Sequence, residues 1–173
     1  STSNGEFSLP AGTYKIKFSA PGFWCKHYQS RITYSTAIDF SVSPSYIQGS
    51  SEFSGGTTTV GENIQSRSRG EGVITITDTT YFKLEQYVSY QQGVSDSNSL
   101  TTTTLGVPAY TGGGEVYSQV LIEDLATAVK LQDVGTTKIA LIQDEKPNGT
   151  NAGEPASLST WLTRDLNTIS DPR

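Results

Sequence analysis

Methionine is absent from this chain of 173 residues, and cysteine and histidine occur once each, as Cys25 and His27. A lone cysteine forms no internal disulfide, so the fold must stand on packing or on association with other chains. One histidine leaves a Ser-His-Asp triad a single available base, and no G-x-S-x-G elbow presents a nucleophile. Cys25 and His27 together are too few ligands for a zinc site, and no second pair follows. Charge is scarce as well. Charged residues make up 17% of the chain, the net charge is −5 and there is no basic run, which argues against a nucleic-acid partner. No apolar run approaches membrane-spanning length, and no signal peptide is recognisable. Hydrophobic residues amount to only 34%, and Ser, Thr, Gly, Gln and Asn supply most of the balance. That neutral polar composition suits an extracellular or virion β-protein. A start at Ser1 without methionine is expected of a processed product or an excised piece.

What is present is alternation. Tyr14, Ile16 and Phe18 point one way and Lys15 and Lys17 the other, the pattern of a strand with one face on a core and one in water. Pro10-Ala11-Gly12 precedes it as a hairpin-like turn, and Pro21-Gly22 is expected to end it. Strands are also expected over Gln29–Tyr34, Ala37–Val42 and Tyr46–Phe53, with an edge strand over Thr57–Gln65. Ser66–Glu71 reads as a polar turn. Gly72–Asp78 and Tyr81–Tyr90 alternate, the second placing Phe82, Leu84, Val88 and Tyr90 on one face with Gln86 as the exception. Glu115–Asp124 and Thr136–Gln143 are apolar on both faces, as central or interface strands are. Thr160–Ile169 reads as the last strand. Gln91–Gly114 and Asp144–Ser159 are long polar loops, the kind that is often functional. No long amphipathic helix appears, so the class is all-β, an antiparallel β-sandwich or jelly roll.

Few residues offer chemistry. A catalytic Cys25–His27 pair is outweighed by ordinary packing roles. The acidic pairs Glu123-Asp124 and Asp144-Glu145 read as solvated strand ends, since calcium needs more converging oxygens. Arg67 and Arg69 read as the solvent face of a turn rather than an anion site. Asn148-Gly149-Thr150 is a weak glycosylation sequon. The glycine-rich stretches lack the lysine and helix of a phosphate loop. The aromatics Phe23, Trp24 and Tyr110 are candidates for ligand stacking or for a subunit interface, with the interface ahead. No catalytic residue, metal ligand or cofactor site is assigned, and the chain is expected not to be an enzyme.

The stretch FSLPAGTYKIKFSAPGF, followed by His27 and Gln29-Ser30-Arg31-Ile32, resembles a family of bacteriophage tail-fibre and structural domains. Gly49–Gly55, the strand Phe82–Gln86 and the closing segment Glu115–Leu125 extend the similarity over nearly the whole chain. Lys26-His27-Tyr28-Gln29 departs from the family's adjacent His-Gln. The resemblance implies a trimeric jelly roll of the C1q and tumour-necrosis-factor type, with no catalytic residues. One segment is displaced. A stretch like Ile139–Thr168, with its W-x-T-R-x-L-N-T strand, opens the family's domains, whereas here it comes last.

These readings divide the chain into a jelly-roll body (1–125), a linker (126–135) and a C-terminal donor-strand arm (136–173). A body without its opening strands exposes apolar core and open edges. The arm must fill that gap, in its own body or in a neighbour's. Ile139, Leu141, Ile142, Trp161, Leu162 and Leu166 are the residues expected to seat it. The expectation is a structural subunit of an extracellular or virion fibre, with copies of itself as partners. The alternative is a trimeric receptor-binding domain for a cell-surface glycan. A polysaccharide hydrolase is weaker, since no spacing suggests two carboxylates across a cleft.

Overall fold

The structure, a computed structural model, describes residues 5–23, 25–54, 65–89, 105–106, 115–125, 139–146, 161–164, 166 and 168–170. All regular elements among them are strands: β1 (Glu6–Leu9), β2 (Gly12–Phe23), β3 (Cys25–Ser35), β4 (Ser45–Ser54), β5 (Gln65–Ile76), β6 (Thr80–Val88), β7 (Glu115–Asp124), β8 (Ile139–Lys146), β9 (Trp161–Thr163) and β10 (Thr168–Ser170). They form two five-stranded antiparallel sheets. In the first, β1 and β9 lie on one edge of β6, and β3 and β4 follow on its other side. The second runs β10-β8-β7-β2-β5. Successive strands change sheet at every step except β3 to β4 and β7 to β8, so the chain winds around the sandwich as in a jelly roll.

Alternation in β2 sets the core. Tyr14, Ile16 and Phe18 are buried while Lys17 is exposed. They pack with Ile32 from β3, Phe82 and Leu84 from β6, and Val120 and Ile122 from β7. Phe82 is stacked between Phe7 and Tyr34, with ring centroids 5.3 and 5.6 Å away. A smaller cluster of Tyr28, Val88 and Leu105 closes one end. Gln86, the polar exception on the inward face of β6, is fully buried and donates through Nε2 to the Pro21 carbonyl at 2.7 Å. That bond ties the two sheets together.

One side of the sandwich is closed by serines. Ser68 of β5 donates to the Ser50 carbonyl of β4 at 2.6 Å and accepts from the Ser30 amide and hydroxyl of β3. Small residues let these two edges approach. A Cβ on Gly70 would lie 2.3 Å from the Phe18 ring and 2.9 Å from the Gly49 Cα. Arg67 braces the same sheet, donating to the Tyr117 and Val116 carbonyls at 2.7 and 3.0 Å and to Ser19. Burial, and then Arg69, lowers its pKa from the usual guanidinium range. These carbonyls lie where the β7–β8 register shifts, between Val116 and Gln119.

Several expectations are corrected. Pro10-Ala11 carries the chain from one sheet to the other and closes no hairpin, because β1 pairs with β6 and β2 with β5. Pro21-Gly22 does not end β2, which stays paired with β5 through Phe23. The missing proline N–H costs nothing on the β7 side, where pairing has already stopped at Ser19. Ser66–Glu71 is strand, since its partner β2 is that long. Ala37–Val42 is a turn, pinned by Ser35 Oγ donating to the Val42 carbonyl and by Asp39 accepting from Ser41, with positive φ at Phe40 and Ser43. Thr160–Ile169 divides into β9 and β10, which belong to different sheets. The expected Thr57–Gln65 edge strand and the 126–135 linker lie outside the described residues, apart from Gln65.

Candidate functional site: the seat of the C-terminal arm

The side of the sandwich opposite the serine network is completed by β8, β9 and β10. The strand β8 pairs along β7, placing Ala140 opposite Ile122, Leu141 opposite Leu121 and Ile142 opposite Val120. Ile142 is 4% exposed and belongs to the core, and Ala140 packs against it. The strand β10 adds to the far edge of β8, with Ile169 opposite Ile142. Without the arm, β7 would be an open edge and Val120 and Ile122 would lose their lateral cover.

In the other sheet, β9 and β1 share one edge of β6 end to end. Trp161, Leu162 and Thr163 pair with Tyr87, Gln86 and Glu85, and Glu6 to Leu9 pair with Lys83 to Thr80. Between them, the Arg164 amide donates to the Leu84 carbonyl at 2.7 Å. Both strands run in the same direction, so together they make one long strand with a gap in the chain. Arg164 is 2% exposed, and Leu166 beyond it turns into the core at 7% exposure. Gly5 occupies the joint. Its φ is +72°, and a Cβ there would fall 1.9 Å from the Arg164 carbonyl oxygen. Only glycine fits that backbone and that contact.

The outer face of this joint is an aromatic and ionic cluster. The Trp161 ring lies 3.9 Å from the Arg31 guanidinium, the Tyr46 ring lies 4.2 Å from it, and Trp161 tilts against Tyr87 at 5.5 Å. The Arg31 Nε donates to Glu85 Oε2 at 2.8 Å, Thr33 Oγ1 donates to the same oxygen, and Lys83 Nζ lies 3.0 Å from Oε1. Burial raises the Glu85 pKa, but the hydrogen bonds from Thr33, Lys83 and Arg31 and the Lys83 charge outweigh it, and the net direction is down. The carboxylate therefore stays ionised and fixes Arg31 as a flat platform for Trp161. A guanidinium over indole is among the stronger cation–π arrangements.

Of the residues expected to seat the arm, the structure brings Leu141, Ile142, Trp161 and Leu166 to the body, and Ile139 and Leu162 by backbone pairing with Glu123 and Gln86. The side chains of Ile139 and Leu162 lie outside the described atoms. Phe23 is half-buried at the end of β2, and Trp24 and Tyr110 lie outside the described residues. His27 is exposed and meets the Phe53 ring edge-on at 5.6 Å. Among the described residues, no group of three or more His, Cys, Asp or Glu gathers to hold a metal, and no helix is long and apolar enough to cross a membrane. Sequence reasoning missed Gly5, Arg31, Glu85 and Arg164. The alternation put Glu85 on the outward face, and nothing local marks an outward charge that another segment will cover.

Compared with known proteins, the chain matches no family model, no curated protein and no solved structure.

Proposed function

We propose that the protein is a non-enzymatic structural subunit of an extracellular or virion fibre, assembled by exchange of its C-terminal arm between neighbouring jelly rolls. The observation that carries this is the seat itself. Three short strands contributed from the end of the chain complete both sheets, and one of them abuts β1 as the missing half of a strand. Donor-strand complementation fills this kind of gap. Fourteen residues, 125–138, separate β7 from β8. Adjacent antiparallel strands need only a tight turn of about two to five residues, whereas fourteen extended residues reach on the order of 45 Å. The connection is long enough to deliver the arm to a neighbour. Head-to-tail exchange does not close on itself and yields a filament.

The register supplies a test. Gln119 and Gln143 face each other across β7 and β8, their amides 3.5 Å apart. In a Cys25→Ser background, one chain carries Gln119→Cys and a second carries Gln143→Cys. The two are unfolded, mixed, refolded and oxidised. Exchange predicts a disulfide between the two chains at yields comparable to that within a Gln119→Cys/Gln143→Cys double variant. A bridge that forms only within the double variant, with the mixture staying monomeric, would assign the arm to its own body.

A further inference from the structure

At the end of the sandwich where β3 leaves and β5 turns into β6, the described residues line an open cleft of about 270 Å³. Its walls come from β3, the 36–44 turn, the start of β4 and the β5–β6 connection. The lining is almost wholly hydroxyl, with Thr36, Ser43, Ser45, Thr77 and Thr80 around a single carboxylate, Asp78. Tyr34, Val42 and Ile76 add apolar surface. Among the described residues, no basic side chain lines it. The hydroxyls of Thr36, Ser43 and Ser45 have no hydrogen-bond partner among the described residues, so they are available to a ligand.

The wall is held in an unusual shape. Phe40 and Ser43 take positive φ, 57° and 34°, a strained conformation for residues with a Cβ. The turn is secured from several sides. Ser35 donates to the Val42 carbonyl at 2.8 Å, the Phe40 amide donates to the Ala37 carbonyl at 3.0 Å, and the Lys83 ammonium lies 4.4 Å from the Phe40 ring centre. On the opposite wall, Thr80 donates to the Asp78 carbonyl and Thr77 to its carboxylate at 3.2 Å. Backbone strain kept by so many supports is a mark of a preorganised binding wall.

We infer that this cleft binds a neutral saccharide, one sugar ring at a time. The ligand must offer several hydroxyls to a ring of donors and acceptors and an apolar face to Tyr34, Val42 and Ile76. A carboxylate accepting from neighbouring hydroxyls supplies the strongest contact. One carboxylate without a basic partner disfavours anions, and a cation of the calcium kind needs more oxygen ligands of higher charge. The volume lies below the roughly 300–1,000 Å³ of drug-sized pockets, which limits the occupant to about one ring. No described residue of the arm lines the cleft, and the assignment makes no use of how the arm is shared.

Saturation-transfer NMR on the full chain suits a weak ligand and tolerates large assemblies. The probes are the methyl glycosides of glucose, galactose and mannose, N-acetylglucosamine and N-acetylgalactosamine, with sialic acid as the anionic control. At least one neutral sugar at millimolar concentration should receive saturation. The signal should fall at least fivefold in Asp78→Ala and in Ser43→Ala/Ser45→Ala. Asp78, Ser43 and Ser45 are exposed, and unchanged circular dichroism checks the fold of each variant. Absence of transfer to every neutral sugar, transfer to sialic acid alone, or full-strength transfer in both variants would overturn the assignment.

Discussion

At the scale of single residues, the molecule separates those that hold the core from those that hold the joint. Ile16 is fully buried at the centre of β2, flanked by Gly72 of β5 and Ile122 of β7. An aspartate there places an unpaired charge among Phe18, Leu84 and Val120. Ile16→Asp should cost at least about 4 kcal/mol, a large share of a typical domain's stability. Its neighbour Lys17 is exposed, and its 4.0 Å pair with Glu71 is a surface contact, so Lys17→Ala should change stability by less than about 1 kcal/mol. Urea unfolding of the two variants measures the contrast. Similar midpoints would refute the register of β2.

At the scale of elements, β8, β9 and β10 complete both sheets of the sandwich. Ile142 and Leu166 are core residues, each contributing about 1.5–3 kcal/mol by burial. Trp161 adds its stack on Arg31. The sum rivals the roughly 5–15 kcal/mol by which a domain is stable. A chain ending at Leu125 should therefore be insoluble or barely folded, and a peptide covering 136–173 added during refolding should restore a cooperative melt. Trp161→Ala in that peptide should weaken the rescue about tenfold or more, since it removes both the stack and the contact with Tyr87. A truncated body that melts like the intact protein would mean that the arm is not structurally required.

At the scale of the whole molecule, the arm is latched by a charge. Glu85 holds Arg31, and Arg31 carries Trp161. The Glu85 pKa is lowered in the fold, so the carboxylate binds fewer protons there than in the unfolded chain. Its stabilising contribution is fully present above the usual glutamate range, about 4.3. It is lost as the pH falls below that range through the lowered folded value. Acid should thus loosen β9 before the β2–β5 core, whose Lys17–Glu71 pair is an exposed surface contact. In a Trp24→Phe background, Trp161 fluorescence should change below about pH 4 before the far-ultraviolet dichroism does. Glu85→Gln should remove that early step. Simultaneous loss of both signals in both proteins would place the latch elsewhere.

Local pattern determined what local physics decides. Period-two alternation identified β2, β6 and the inward faces of β5, because a side chain's face follows from strand pleat alone. Runs apolar on both faces marked β7 and β8 as interior strands, and they lie next to each other inside the second sheet. The buried Gln86 and the turn at 36–44 were decided only by partners distant in sequence. Pro21 offers its carbonyl from the other sheet, and Ser35 and Asp39 close a turn over residues whose composition reads as strand. Ser66–Glu71 looks like a turn until the full length of β2 lies beside it. The joint is the clearest case. Glycine at position 5 and arginine at position 164 carry no local signal, because their roles come from meeting each other at the gap between β9 and β1. Sequence alone sets the alternating strands and their faces, as in β2 and β6. Which edges they share, and where the chain is interrupted, are set by long-range packing.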